Sequence, residues 1–280
     1  MILLDGKSLS KKIREQIKSR VSEFKNRGII PGLAVILVGD NPASQLYVNM
    51  KTKACEDVGI YSINHRMPAE ISERELINVI KMLNDNPMVH GILVQLPLPK
   101  HIKEENVIEA IDYKKDVDGF HPYSVGRLVR GNPLFYPCTP YGIMKLFEEY
   151  NIELRGKDVV IVGAGNITGK PLASMLTNAF STVQLCHIHT KELEKKTKKA
   201  DILISAVGKP KLITKDMVKE GCVIVDVGIT RVNNRVVGDV DFENVSEKAS
   251  YITPVPGGVG PMTIAMLLYN TVKAIEINGT

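Results

Sequence analysis

Tyr47 and Lys51 stand four residues apart in a stretch that reads as a helix, so both side chains project from one face. A lysine acts as a general base when its amine is neutral, and burial and a neighbouring positive charge both favour that form. The helix follows the carboxyl end of a strand, beside the crevice in which open α/β sheets bind ligands. Gln95 ends another predicted strand of this region and could reach the same crevice. Asp118 falls in the loop Lys115-Asp116-Val117-Asp118-Gly119-Phe120 beyond it. Singly each has an ordinary reading: Lys51 a solvated lysine, Gln95 a strand cap, Asp118 a turn residue.

A second signal is Gly163-Ala164-Gly165-Asn166-Ile167-Thr168-Gly169, between a buried strand and a predicted helix. Glycines there allow a tight turn and let backbone N–H groups approach a pyrophosphate at the helix N-terminus. The spacing is GxGxxxG, one residue longer than the standard fingerprint. A plain strand-to-helix turn is the alternative, and the alternating strands and helices around it favour dinucleotide binding. The next strand ends in Cys186-His187-Ile188-His189-Thr190-Lys191, with no acid before Glu192. An NAD site usually carries a carboxylate there for the ribose diol. Its absence, with potential cations in place, tilts the reading to NADP and leaves NAD possible. His187 and His189 otherwise read as ordinary loop histidines.

The elements that must position these residues follow from periodicity. Leu9, Ile13, Ile17, Val21 and Phe24 recur at helical spacing and end near Gly28. Residues 33–38 read as a strand buried on both faces, stopped by Gly39-Asp40-Asn41-Pro42. A helix over 44–58, a strand over 63–67, a helix over 72–84 and a strand over 91–95 continue the series. After Pro137-Cys138-Thr139-Pro140 the pattern restarts with a helix over 141–150. Strands follow at 159–162, 183–186, 202–206 and 223–227, and a last helix at 262–277. The expectation is α/β: two parallel α/β domains with a cleft between them, the second a Rossmann-like dinucleotide-binding domain. Residues 1–139 would form the first domain, with the helix 262–280 packing back on it, and residues 140–261 the second.

Composition narrows the function. The chain has 280 residues, 44% hydrophobic and 24% charged, which sits at the globular average. Its net charge of +5 is spread along the chain, suits anionic small molecules and falls short of a nucleic-acid footprint. Lys-rich runs such as 191–199 read as solvated helix faces. Cys55, Cys138, Cys186 and Cys222 are scattered, with no CxxC pair and no zinc-like spacing, so no metal is expected. Reduced thiols, an amino terminus too short for a signal-peptide core and no apolar run of membrane length point to a cytoplasmic protein without membrane contact.

Six segments, taken together, resemble the methylenetetrahydrofolate dehydrogenase/cyclohydrolase family. They are the run from Ser44 to Lys53, Val94-Gln95-Leu96-Pro97-Leu98-Pro99, Lys115-Asp116-Val117-Asp118-Gly119, Gly126-Arg127-Leu128, Pro137-Cys138-Thr139-Pro140, and the run from Pro254 to Thr263. They occur in family order and span nearly the whole chain. The resemblance implies oxidation of methylenetetrahydrofolate with NADP to the methenyl cation, then hydrolysis to 10-formyltetrahydrofolate. It makes Lys51 the central catalytic group, with Gln95 hydrogen-bonded to it, Tyr47 stacked on the aminobenzoyl ring and Asp118 anchoring the pterin. Leu96, Gly260 and Pro261 would line the folate site. Gly163, Ala164, Gly165, Ile188, Ile229 and Thr139 would contact the cofactor. Many family members have Arg-Ser at Ala164-Gly165 and Ser-Lys at Ile188-His189, and the Arg and Ser grip the 2′-phosphate; here that grip would need His187, His189 or Lys191. A homodimer is also implied. The alternatives are an oxidoreductase similar to shikimate dehydrogenase, a non-catalytic nucleotide-sensing module, or a family member that keeps only the cyclohydrolase activity.

Overall fold

The computed structural model describes residues 1–233 and 235–278. In chain order the first elements are β1 (Ile2–Leu3), α1 (Gly6–Asn26), β2 (Gly32–Val38), α2 (Pro42–Val58), β3 (Tyr61–Met67) and α3 (Glu73–Asp85). Then come β4 (Gly91–Val94), α4 (Glu104–Glu109), α5 (Pro122–Val129), α6 (Cys138–Glu149), β5 (Asp158–Val162) and α7 (Gly169–Asn178). The rest are β6 (Thr182–Cys186), α8 (Leu193–Thr197), β7 (Ile202–Ser205), β8 (Val223–Asp226), β9 (Thr230–Val232) and β10 (Arg235–Val237). Last are α9 (Phe242–Val245), β11 (Tyr251–Ile252) and α10 (Val259–Asn278).

Contacts divide the chain into a lysine unit, Lys12–Cys138 with Ile264–Thr280, and a glycine-loop unit, Met1–Lys11 with Thr139–Thr263. The expected division gave residues 1–11 to the first domain. They group with the second because β1 pairs in parallel with β11, Ile2 opposite Tyr251. A two-residue strand carries no periodicity to read.

In the lysine unit a parallel sheet has the order β3-β2-β4. The central strand β2 is buried at every position, as a strand covered on both faces must be. Ala34, Ile36 and Val38 on one of its faces meet Leu76, Ile80 and Leu83 of α3 in one core. That is period two packed against helical period. An isolated parallel bridge, Ile92 to Asp116, extends the sheet beyond β4. Helix α10 is apolar almost all round, and the residues from Ile264 to Leu268 are buried without a break, as expected of an interior helix.

In the glycine-loop unit six strands run parallel in the order β1-β11-β8-β7-β5-β6. The order reverses at β5, so the switch point where doubly wound sheets take their ligands lies between β5 and β7. An antiparallel hairpin, β9 with β10, leaves the sheet after β8. The sequence pattern did not mark this hairpin, whose strands are three residues each and largely exposed. Among the described residues no helix is long and apolar enough to cross a membrane.

Candidate active site

Helix α2 is fixed at both ends. The Asn41 side chain accepts from the N–H groups of Ala43 and Ser44, Pro42 opens the first turn, and Gly59 closes the helix with φ +84°, a left-handed value natural to glycine. Lys51 is therefore held at a set height, one turn beyond Tyr47. Gln95 follows β4 directly and its N–H donates to the Ile36 carbonyl at 2.9 Å. Its side-chain Nε2 donates to the Leu96 carbonyl at 2.8 Å, which turns Oε1 outward to accept from Lys51 Nζ at 2.9 Å. The backbone thus decides which end of the amide meets the lysine. The Leu96–Pro97 peptide bond is cis.

The Asp118 loop is built by its neighbour. The fully buried Asp116 carboxylate accepts from the N–H groups of Gly119, Phe120 and His121 at 3.1, 3.2 and 2.9 Å. Asp118, two residues on, stands half-buried at the sheet's carboxyl end. Burial pushes its carboxyl up to about 6; the Lys51 charge pulls it down, Asp116 pushes it up, and a hydrogen bond from the Cys138 thiol pulls it down. Asp118 and Leu96 line one small hollow with Val94, Ile108 and Phe120. Lys51, Gln95 and Asp118 therefore converge, with Leu96 beside them and Tyr47 on the lysine's helix face.

In the glycine-loop unit Gly163 follows β5 with φ +116°, and a Cβ there would lie 2.3 Å from the Ala206 carbonyl oxygen at the end of β7. A Cβ on Gly169 would lie 1.8 Å from the Gly163 carbonyl oxygen. Both positions accept only glycine, and the loop is pressed against the switch point. Gly165 has open space where a side chain would be. Thr168, the N-cap of α7, makes no side-chain cap bond, which leaves this helix end open to an anion. The donor set fits a dinucleotide pyrophosphate. Gly163 N–H donates to the Cys186 carbonyl at 2.9 Å, so the turn from His187 to Thr190 adjoins the loop. That turn is closed by His187 N–H on Thr190 Oγ1 at 2.8 Å and His189 N–H on His187 Nδ1 at 3.2 Å. Ile188 at its tip is 94% exposed, and Ala164 is half-buried.

Of the remaining expected site residues, Gly260 and Ile229 are neighbours, a Cβ on Gly260 lying 3.8 Å from Ile229 Cδ1. Pro261 follows, half-buried, within the first turn of α10. Thr139 and Thr263 share a hydroxyl hydrogen bond at 2.9 Å. Among the described residues no cluster of His, Cys, Asp and Glu could hold a metal. Sequence reasoning overlooked three residues: Asp116 as the builder of the loop, Cys138 as a partner of Asp118, and Asn270 of α10, which reaches the same loop. Asp116 was visible in its motif; nothing in the periodicity of α10 marks Asn270.

A half-buried lysine held by an amide, a carboxylate short of donors, and a glycine loop at a sheet switch point define a two-unit α/β enzyme of the nicotinamide-dependent kind. The family model for the tetrahydrofolate dehydrogenase/cyclohydrolase catalytic domain matches residues 4–118, and that for the NAD(P)-binding domain matches residues 137–279. The chain belongs to the tetrahydrofolate dehydrogenase/cyclohydrolase family. A bifunctional protein FolD from Nautilia profundicola is 63% identical over 277 residues, 99% of this chain and 98% of that one. The crystal structure of a FolD methylenetetrahydrofolate dehydrogenase/cyclohydrolase from Campylobacter jejuni is 56% identical, with TM-score 0.98 and 99% of each chain covered. A Trypanosoma brucei FolD, complexed with NADP cofactor and inhibitor, is 36% identical with TM-score 0.95, covering 99% of this chain and 98% of that one. The shikimate-dehydrogenase-like alternative is not favoured by these matches.

Proposed function

We propose that this chain oxidises methylenetetrahydrofolate to methenyltetrahydrofolate with NADP and then hydrolyses the product to 10-formyltetrahydrofolate. The observation that carries the reading is the Lys51–Gln95 hydrogen bond beside Asp118, in a chain of this family. A nicotinamide cofactor held at the glycine loop would supply the hydride acceptor for the methylene bridge. Lys51, held by Gln95, is the base this reading assigns to the attacking water. Neutral Lys51 takes a proton from water as the oxygen adds to the methenyl carbon, and the ring then opens to the formyl product. Gln95 holds the lysine amine in place. Tyr47 offers its ring to the aminobenzoyl group, and Asp118 accepts from adjacent N–H donors of the aminopyrimidine ring. Leu96 completes the folate contacts of the lysine unit.

Gly163, Ala164 and Gly165 would receive the pyrophosphate, with Ile188, Ile229 and Thr139 as further cofactor contacts. The lysine unit is read as the folate-binding domain and the glycine-loop unit as the NADP domain. The protein is read as cytoplasmic, serving one-carbon supply to purine synthesis, and as a homodimer. Light scattering after gel filtration tests that state.

The deciding assay follows reduced cofactor and the methenyl intermediate from methylenetetrahydrofolate, with NADP and NAD in separate runs. Turnover with NADP supports the full reading; turnover only with NAD overturns the cofactor assignment. Hydrolysis of supplied methenyltetrahydrofolate without any dehydrogenase turnover would leave a cyclohydrolase, an outcome that Ala164 and Gly165 in place of Arg-Ser make worth testing.

A further inference from the structure

Asn270 is fully buried in α10, on a stretch whose neighbours Leu267, Leu268, Val272 and Ala274 are apolar and buried. Its side-chain nitrogen donates to the Val117 carbonyl at 2.8 Å and to the Tyr136 carbonyl at 2.9 Å, and lies 3.7 Å from the Cys138 sulfur. Its side-chain oxygen is buried with no hydrogen-bond partner. The orientation is forced, because turning the amide over would set that oxygen against two carbonyls. A buried, unpaired amide oxygen is a net penalty, so this residue is poorly explained by stability alone. Its two N–H groups are committed to the segments that flank Asp118: the peptide bond immediately before it, and the Tyr136 to Cys138 stretch.

The Cys138 thiol has two acceptors in reach. It donates to the Val117 carbonyl oxygen at 3.4 Å, and the Asp118 carboxylate is its charged neighbour. A thiol carries one hydrogen. The structure gives it to the Val117 carbonyl, which accepts from both Asn270 and Cys138 on its two lone pairs. We propose that Asn270 is a positioning residue for the pterin anchor: by holding the Val117 carbonyl and the Cys138 sulfur, it sets where Asp118 presents its carboxylate. The inference rests on the folate reading of Asp118 given above.

The groups facing Asp118 are Lys51 from α2, Asp116 on its own loop, and Cys138 at the start of α6. Loss of Asn270 leaves Lys51 and Asp116 in place and removes the clamp that ties the Val117 carbonyl to the Tyr136 to Cys138 stretch. Asp118 then shifts away from the Lys51 charge that favours its ionised form, and its titration moves upward.

The test uses full-length Asn270→Leu, supplied with methenyltetrahydrofolate so that no cofactor is needed. The expected result is a KM raised about ten-fold by the displaced anchor, with kcat little changed. Asp118, followed by carboxyl-carbon NMR on aspartate-labelled protein, should titrate at higher pH than in the parent. An unchanged KM and an unchanged titration would overturn the proposal, whatever happens to the melting temperature. If Asn270→Leu does not fold, Cys138→Ala and Cys138→Ser carry the test. The alanine should shift the Asp118 titration upward and the serine, which keeps a donor, should not; identical titrations in both would sink the idea. The NMR titration needs no turnover. A parent chain inert towards methenyltetrahydrofolate would therefore refute the folate reading, while the titration would still decide whether Asn270 positions Asp118.

Discussion

Each unit contains a loop built around two aspartates, and the donors around the two pairs differ. In the glycine-loop unit Asp226 accepts from the N–H groups of Gly228, Asp239 and Val240. Asp239 accepts from the Ser205 hydroxyl and from the N–H groups of Val207 and Lys209. All four carboxylate oxygens have donors from the protein. The packing is close: a Cβ on Gly228 would lie 2.2 Å from Asp239 Oδ1, and one on Gly238 would lie 2.0 Å from Asp226 Oδ2. In the lysine unit Asp116 is satisfied in the same way by three N–H groups, whereas Asp118 has one thiol. Burial pushes both Asp226 and Asp118 up to about 6. A perturbed acid therefore does not by itself mark a site. What separates the two is acceptor capacity left unused, and Asp118 is the carboxylate that has it.

Asp118→Ala should give the largest effect, because the anchor's charge-assisted hydrogen bonds are each worth about 1.5–3 kcal/mol. We expect kcat/KM for methylenetetrahydrofolate to fall about a hundred-fold or more, with cofactor affinity and the urea midpoint unchanged. A variant with ordinary folate kinetics would remove Asp118 from the site. Asp226→Ala should do the reverse. It strands three buried N–H groups, so a loss of about 4 kcal/mol of stability is expected. Hydrogen exchange at Gly228, Asp239 and Val240 should accelerate, while folate KM stays put in the folded fraction. Unaltered protection at those amides would show that Asp226 does not brace the hairpin.

The contrast also explains what was legible in the sequence. Long elements such as β2, α2 and α3 were readable because each buries a face whose period repeats several times. Lys51 and Tyr47 were readable for the same reason, since helical spacing alone puts them on one face. Asp118 stood out as an acid in a motif, but Asp116 beside it looks identical in sequence. Only the loop's folded path shows that one is saturated by backbone and the other is not. Asn270 and Cys138 were illegible as partners because they lie 132 positions apart and meet only in the folded chain. The strands β1 and β11 are too short to carry any pattern, and they decide the grouping of the amino terminus through pairing alone.

Acid separates the two pairs more finely. Asp226 has a folded value near 6, above its ordinary carboxylate value, so the folded state binds the extra proton. Its contribution is fully present below about pH 4 and is lost as pH rises through about 6. Between those limits stability should fall by about 3 kcal/mol with rising pH. Urea midpoints of the parent should show that slope relative to Asp226→Asn, and parallel curves would exclude it. Asp118 shares the shift but must be ionised to accept from the pterin. Below about pH 6 its charged fraction drops about ten-fold per unit, so folate KM should be about ten-fold higher at pH 5 than at pH 7. That rise should vanish in Asp118→Asn. Acid thus favours the fold through both raised carboxyls but weakens substrate binding through Asp118, so a KM that climbs at low pH in a fully folded protein reports on Asp118. A KM flat from pH 7 to pH 5 in the parent would mean that the pterin is held by some other group.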